Sequence, residues 1–345
     1  METPAGGPAV VAVAQIAVMP GSVGQRAHAL LEPLRRLVPY DAAWISLLDP
    51  ERRILPPLVR EGYDARVQQY LDGPQLMDDI ELVGMHRHRP PMRLKDLPVP
   101  PSEVVGWADY LRPAGFGEGI SVPLTTSDGR YLGLFCCNTA ACTAPSDAVR
   151  DEFATLAPLI AHAVDPLRSI RAVADIVTGA VAGVVLTRAG NTVALPGLPG
   201  DPLLAPGSSV VEAARTVLDP SGVQALFLAP RDDTAGAALI RVTAMNCPPQ
   251  PPGHLRATVL LSPPPDLRGL TRRELRILGL LIAGWPHARI AATLIISMGA
   301  VAGHIAHIMV KLDARSATVA AVRALRQGLY LPAALTAPTA SGGHR

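Results

Sequence analysis

The chain is 345 residues long and almost devoid of lysine: Lys95 and Lys311 are the only two, against 29 arginines. Arg, Ala, Gly and Pro have GC-rich codons and Lys does not, so the bias points to a GC-rich bacterial genome. Part of the abundance of Pro (35) and Gly (30) therefore carries no structural message. Aromatics are also scarce, with 3 Trp, 6 Tyr and 4 Phe for the whole chain. Trp44, Trp107, Tyr110 and Phe116 are thus each needed either to fill a core or to line a pocket. The four cysteines, Cys136, Cys137, Cys142 and Cys247, include an adjacent pair and show no zinc spacing, which reads as reduced cytosolic thiols.

Other absences exclude whole classes of function. No basic residue precedes the apolar stretch 9–19, and no run of 18 apolar residues follows, so neither an export signal nor a membrane span is expected. The expectation is a cytoplasmic protein with no membrane partner. No G-x-S-x-G, Walker or H-E-x-x-H motif occurs, so no reaction is nominated, no cofactor is called for, and the protein is expected not to be an enzyme. His86-Arg87-His88 has half the makings of a metal site but no third ligand nearby, which favours a solvated loop. Gly115, Gly117 and Gly119 precede a strand and no helix N-terminus, which favours a turn over a phosphate loop.

What is present is an ordinary globular balance: 49% apolar and 17% charged, which rules out a disordered chain. At roughly 150 residues per domain, the length suggests two or three domains. The net charge of +2 is unevenly spread. From Pro264 onward ten basic residues face only Asp266, Glu274 and Asp313, a net of +7 that leaves the rest of the chain at −5. A basic tail on an acidic body is the electrostatic footprint of a polyanion partner.

Punctuation divides the chain into an N-terminal extension (1–22), an α+β block (23–168), a β-rich module or linker (169–263), a helical block (264–330) and a flexible tail (331–345). In the α+β block, Leu30, Leu31, Leu34 and Leu37 mark an amphipathic helix. Residues 42–48 and 54–60 read as a hairpin, 102–111 as a helix capped by Ser102, 120–125 and 131–138 as a second hairpin, and 146–164 as a long closing helix. That order predicts an antiparallel sheet with helices on one side. Gly115-Phe116, Ser121-Val122-Pro123-Leu124, Asp128-Gly129-Arg130, Leu132-Gly133-Leu134 and Tyr40-Asp41-Ala42-Ala43 resemble the GAF family of sensory domains, which implies a small-molecule ligand of unspecified chemistry. In the β-rich module, strand-like runs at 181–186, 191–195, 223–228, 237–244 and 255–261 surround a short helix at 210–218. Their order resembles a shortened PAS-type sheet, and the reading as a spacer stays open.

The helical block is the most informative. Thr271-Arg272-Arg273-Glu274 is a capping box that starts a helix with Leu275, Leu278, Leu281 and Ile282 on one face, stopped by Gly284 and Pro286. A short helix at 288–294 and a third capped by Ser297, with Val301, Ile305, Ile308 and Leu312 on its inner face, make the unit that docks a recognition helix in the major groove. Leu270-Thr271, Arg273-Glu274, Leu278, Gly284, Ile290-Ala291, Leu294, Ile296-Ser297, Val301, His304, Ile308 and Lys311-Leu312 resemble the LuxR-type helix-turn-helix pattern. The resemblance implies an all-α four-helix DNA-binding domain in a transcriptional regulator. It also implies double-stranded DNA as partner and a homodimer through the fourth helix, 316–325.

Read onto this sequence, the resemblance places Arg272, Arg273, Arg289, Ser297, Gly299, Ala300, Ala302, Gly303, Ala306, His307 and Lys311 at the DNA. The base-reading positions fall on Ala302, Gly303 and Ala306, which have no hydrogen-bonding side chain, and no Lys or Arg lies between Arg289 and Lys311. Bidentate readout of guanine from this helix is thereby excluded, leaving phosphate contacts, thymine methyls and shape. Gly299 and Gly303 each cost the helix about 1 kcal/mol relative to Ala. His304 and His307 have the spacing to touch DNA or a metal, with a packed His304 as the simpler reading. The alternative is an adaptor that keeps the fold but binds a protein through Ala302, Ala306, Met309 and Val310.

Overall fold

The computed structural model describes residues 6–87, 89–177, 179–219, 222–232 and 237–336. It separates into two compact units, one running through Ser169 and including Pro249–His254, the other comprising Ile170–Pro248 and the chain from Leu255 onward.

The first unit is built on a five-stranded antiparallel sheet: β1 (Ala42–Leu47), β2 (Pro57–Glu61), β3 (Met92–Arg93), β4 (Glu118–Thr125) and β5 (Tyr131–Thr139), in the order β2-β1-β5-β4-β3. Both hairpins expected from the sequence are present. The sheet, however, is covered on both faces. Ile45, Ile120, Val122, Phe135 and Cys137 meet α1 (Gly6–Val18), α2 (Val23–Leu37) and α5 (Asp147–Val164). Trp44, Leu134 and Cys136, one residue out of phase, meet α3 (Ala65–Leu71) and α4 (Gln75–Val83). The central strands β1 and β5 are accordingly buried without the alternation of a one-sided sheet, and the expectation of helices on one side is corrected.

Three further differences have local causes. The segment expected as an extension forms α1, whose Val13 and Ala17 are buried against the core. The loop-rich middle holds α3, capped by Asp64, and α4, ended by Gly84 in a left-handed conformation. In place of a helix over 102–111 there is a 3₁₀ turn at Pro101–Glu103 and a π-helical turn at Gly106–Leu111. The break lies where the Asp79 carboxylate takes the amides of Val105 (3.1 Å) and Gly106 (2.6 Å).

The second unit begins in α6 (Pro166–Ala174) and carries its own antiparallel sheet: β6 (Ala182–Thr187), β7 (Thr192–Ala194), β8 (Gln224–Pro230), β9 (Leu239–Asn246) and β10 (Leu255–Ser262), ordered β7-β6-β10-β9-β8. Renumbered from its own start, this is the strand order of the first sheet. The chain thus builds one 2-1-5-4-3 topology twice, the second time with one α-helix, α7 (Ser209–Val217), among the described residues between the outer strands.

Four helices follow: α8 (Arg272–Ile282), α9 (His287–Leu294), α10 (Met298–Lys311) and α11 (Ala317–Gln327). Residues 169–263 and 264–330, separate blocks by their punctuation, have apolar side chains that form one cluster. Val184, Leu186, Phe227, Ile240, Val242 and Val259 of the sheet belong with Leu275, Leu278, Ile290, Val301 and Ile308 of the helices. The seam is the segment after α11. Leu228 N–H donates to Tyr330 O (2.9 Å) and Leu331 N–H to Leu275 O (3.1 Å), so this stretch lies between β8 and α8. Leu329, Tyr330 and Leu331 are buried, and 331–336 is ordered against the unit where a flexible tail was expected. The rest of that tail, 337–345, lies outside the described residues.

Candidate nucleic-acid interface

Thr271 caps α8 as its sequence predicts, its hydroxyl accepting from Glu274 N–H (3.3 Å) while Glu274 accepts from Thr271 N–H (2.6 Å). α9 ends at Ile295, a β-branched residue held at φ 54°, and Ser297 restarts the chain by accepting from Ala300 N–H at 3.1 Å. The two helices either side of this three-residue turn meet at 104°. Val301, Ile305 and Ile308 fix α10 against the core, so the opposite face is free: Gly299, Ala302, Gly303, Ala306, His307 and Val310 are all exposed. A Cβ built on Gly303 meets nothing within 4 Å, so no contact inside the chain requires glycine there.

The cations at the margins are placed unequally. Arg273 and Arg276 are exposed on α8, and Arg272 is half-buried. The Arg289 guanidinium carbon lies over the Trp285 ring, 3.7 Å from its centroid. Lys311, expected at a phosphate, turns inward instead. Its ammonium bonds both oxygens of Glu274, at 3.0 and 2.8 Å, and that carboxylate is only 3% exposed. Burial by itself raises the Glu274 pKa, but the Lys311 ammonium and the amide and hydroxyl of Thr271 outweigh it and hold the carboxyl below its usual range. Ser297 likewise spends its hydroxyl on its own helix. Trp285, four residues before Arg289, is a stacking platform not singled out in the sequence, and Glu274 is a counter-ion to Lys311 that no periodicity reveals, since the two are 37 residues apart.

A helix pair crossing at this angle, with a packed inner face and an open outer one, is a helix-turn-helix. The comparison with known families agrees: residues 268–324 match GerE, the bacterial regulatory proteins of the luxR family, so α8–α11 form a LuxR-type helix-turn-helix domain. No curated protein sequence matches the chain. Among solved structures, the GAF domain of a phosphoenolpyruvate-protein phosphotransferase from Coxiella burnetii is similar over 48% of this chain and 95% of its own, at 15% identity and TM-score 0.36. The bacteriophytochrome RpBphP3 from R. palustris covers 76% of this chain and 65% of its own (13%, 0.39). The chromophore-binding domain of Stigmatella aurantiaca phytochrome P1 covers 47% and 62% (18%, 0.35).

The first unit holds a cavity of about 120 Å³ between its sheet and α3, α4 and the π-helical turn. Trp44 and Trp107 line it, as the sequence allowed. Tyr110 and Phe116 do not: Tyr110 stacks on Tyr70 (centroids 4.6 Å apart) and Phe116 meets Tyr63 edge-on (5.7 Å). The wall is mostly apolar, and its charged members are engaged. Asp79 accepts from Tyr70 Oη at 2.5 Å besides its two amides. Arg93 is held by Asp96 (2.6 Å), Asp147 (2.8 Å) and Pro145 O (2.7 Å). Among the described residues no group of three or more metal-ligating side chains occurs, and no single helix is long and apolar enough to cross a membrane. His88, the second histidine of the half metal site, lies outside the described residues.

Proposed function

We propose that the protein is a transcriptional regulator that binds double-stranded DNA through α8–α11 and takes its signal as a small molecule in the cavity of the first unit. The observation that carries this reading is the LuxR-type domain with the outer face of α10 unoccupied. With Ala, Gly, Val and His on that face, sequence choice rests on thymine methyls and DNA shape, and affinity on Arg273, Arg276, Arg289 and the amides at the start of α10. The fold's cavity, with an apolar wall and its charges already paired, suits a compact uncharged ligand. Val322 and Leu325, exposed on α11, are the surface through which two copies pair. The reading assigns no catalytic step and a place in the cytoplasm.

The test is binding of the purified full chain to duplex DNA at several salt concentrations. Affinity that falls with a log–log slope set by the number of phosphates engaged supports the proposal, and no salt-dependent association at any DNA dose removes it. A second reading, an adaptor that binds a protein partner, is favoured by one observation, the 81% exposure of Val310 beside Ala306. It predicts that Ala306→Asp abolishes function while Arg289→Ala leaves it intact.

A further inference from the structure

The second unit contains a cavity of about 260 Å³ where the end of β6, the start of β10, the end of β9 and the last turn of α7 converge. Three guanidinium groups line it, those of Arg188, Arg215 and Arg256, and none of the described lining residues is acidic. Leu186, Ala214, Leu218, Ala244 and Ala257 supply an apolar floor. Arg215 and Arg256 bring two like charges to one concavity, an arrangement that is stabilised when an anion sits between them.

Local structure aims these groups at the cavity. Ladder pairing between β10 and β6 shifts register between Leu255 and Ala257, so Arg256 is the inserted residue of a bulge. A bulge breaks the alternation of a strand and re-aims a side chain, here one with no acidic residue among the described residues that line the cavity. Among the described residues Arg215 pairs with the half-exposed Glu212 at 3.3 Å, a weak competitor. Thr187, 7% exposed, lines the same cavity, and its hydroxyl has no hydrogen-bond partner. A buried hydroxyl without a partner is costly and is satisfied when a ligand supplies an acceptor.

We propose that this cavity binds a small organic phosphate, with Arg256 and Arg215 on the phosphate, Thr187 as a further donor, and the organic body against the floor. Guanidinium groups match the oxygens of a phosphate in bidentate geometry, and a tetrahedral dianion can engage several of them together. The volume exceeds what a bare phosphate ion fills, and the apolar floor gives that ion nothing to contact. The inference is independent of what α8–α11 bind.

Titration calorimetry of the full chain with phenyl phosphate at low ionic strength tests it, with inorganic phosphate and benzoate as comparisons. One saturable site per chain is expected, binding phenyl phosphate more tightly than either comparison. Arg256→Ala and Arg215→Ala should each weaken it about tenfold or more, the loss of a charge-assisted hydrogen bond. Arg256→Lys should retain part of the affinity, and Arg52→Ala, on the surface of the first unit, should change nothing. Both alanine variants remove half-exposed or exposed side chains, and an unchanged thermal midpoint establishes that they fold. No saturable binding, variants that bind like the parent, or benzoate binding as tightly as phenyl phosphate would each overturn the proposal.

Discussion

Lys311 in the last turn of α10 and Glu274 in the first turn of α8 form a two-point ion pair, the ammonium 3.0 Å from one carboxylate oxygen and 2.8 Å from the other. The same carboxylate closes the capping box with Thr271, so one buried group starts α8 and anchors the end of the helix that faces outward. Removing Lys311 leaves that charge buried without its counter-ion. Lys311→Met is expected to destabilise the second unit by about 3 kcal/mol, while Lys311→Met with Glu274→Gln costs less than the sum of the two, because Gln can still complete the capping box. Denaturant midpoints of the full chain check this, and additivity within about 0.5 kcal/mol would mean the pair is not coupled.

The same pair sets an acid limit. The folded pKa of Glu274 is depressed, so its stabilisation is fully present above the ordinary carboxylate pKa of about 4.3 and is lost as pH falls through the lower folded value. The stability difference between the parent and Glu274→Gln should therefore be flat at neutral pH and shrink only in acid. A difference that grows on acidification contradicts the assigned direction.

Glycines in α8 and α10 make opposite predictions from the same chemistry. A Cβ on Gly279 would sit 1.7 Å from Leu331 O, in the backbone that seals the sheet to the helices. Gly279→Ala should cost about 3 kcal/mol, because neither backbone can yield without breaking the Leu331–Leu275 hydrogen bond. Gly303→Ala, with open space around it, should instead stabilise by up to about 1 kcal/mol. Thermal unfolding of the two variants side by side decides whether both signs are right.

The buried thiols predict a chemical pattern. Burial pushes the Cys136 thiol up to about 12 and raises those of Cys137 and Cys247, while Cys142 is exposed. At pH 8 iodoacetamide should label Cys142 well before the others, since the thiolate is the nucleophile. Mass spectrometry of the native protein reads the order, and early labelling of Cys136 or Cys137 would require the first core to open.

Elements written in local chemistry were legible: the capping box at Thr271, the Ser297 cap, the turn at 127–130 between β4 and β5, and the inner face Val301, Ile305, Ile308. Elements fixed by distant partners were not. The π-helical turn at Gly106 depends on Asp79, 27 residues away, and the burial of Leu331 depends on β8. Similarly, the expected phosphate contact at Lys311 is taken by a carboxylate that the sequence had already assigned to a cap. A lysine's partner is a tertiary fact, and only its charge is visible in one dimension.

Arg289 is the cation best placed to show whether α8–α11 meet DNA. Its guanidinium lies 3.7 Å from the centroid of Trp285, which holds it at the start of α9 without neutralising it. If it contacts a phosphate, Arg289→Ala should weaken binding to all duplex sequences alike and lower the slope of log K against log salt by about 1. Arg289→Lys keeps the charge but loses the planar stack, so the slope should persist while affinity drops. Fluorescence anisotropy across a salt series separates the cases. An unchanged slope in Arg289→Ala places this arginine away from the backbone, and the burden of phosphate contact then passes to Arg273 and Arg276 on α8, whose alanine variants must show it.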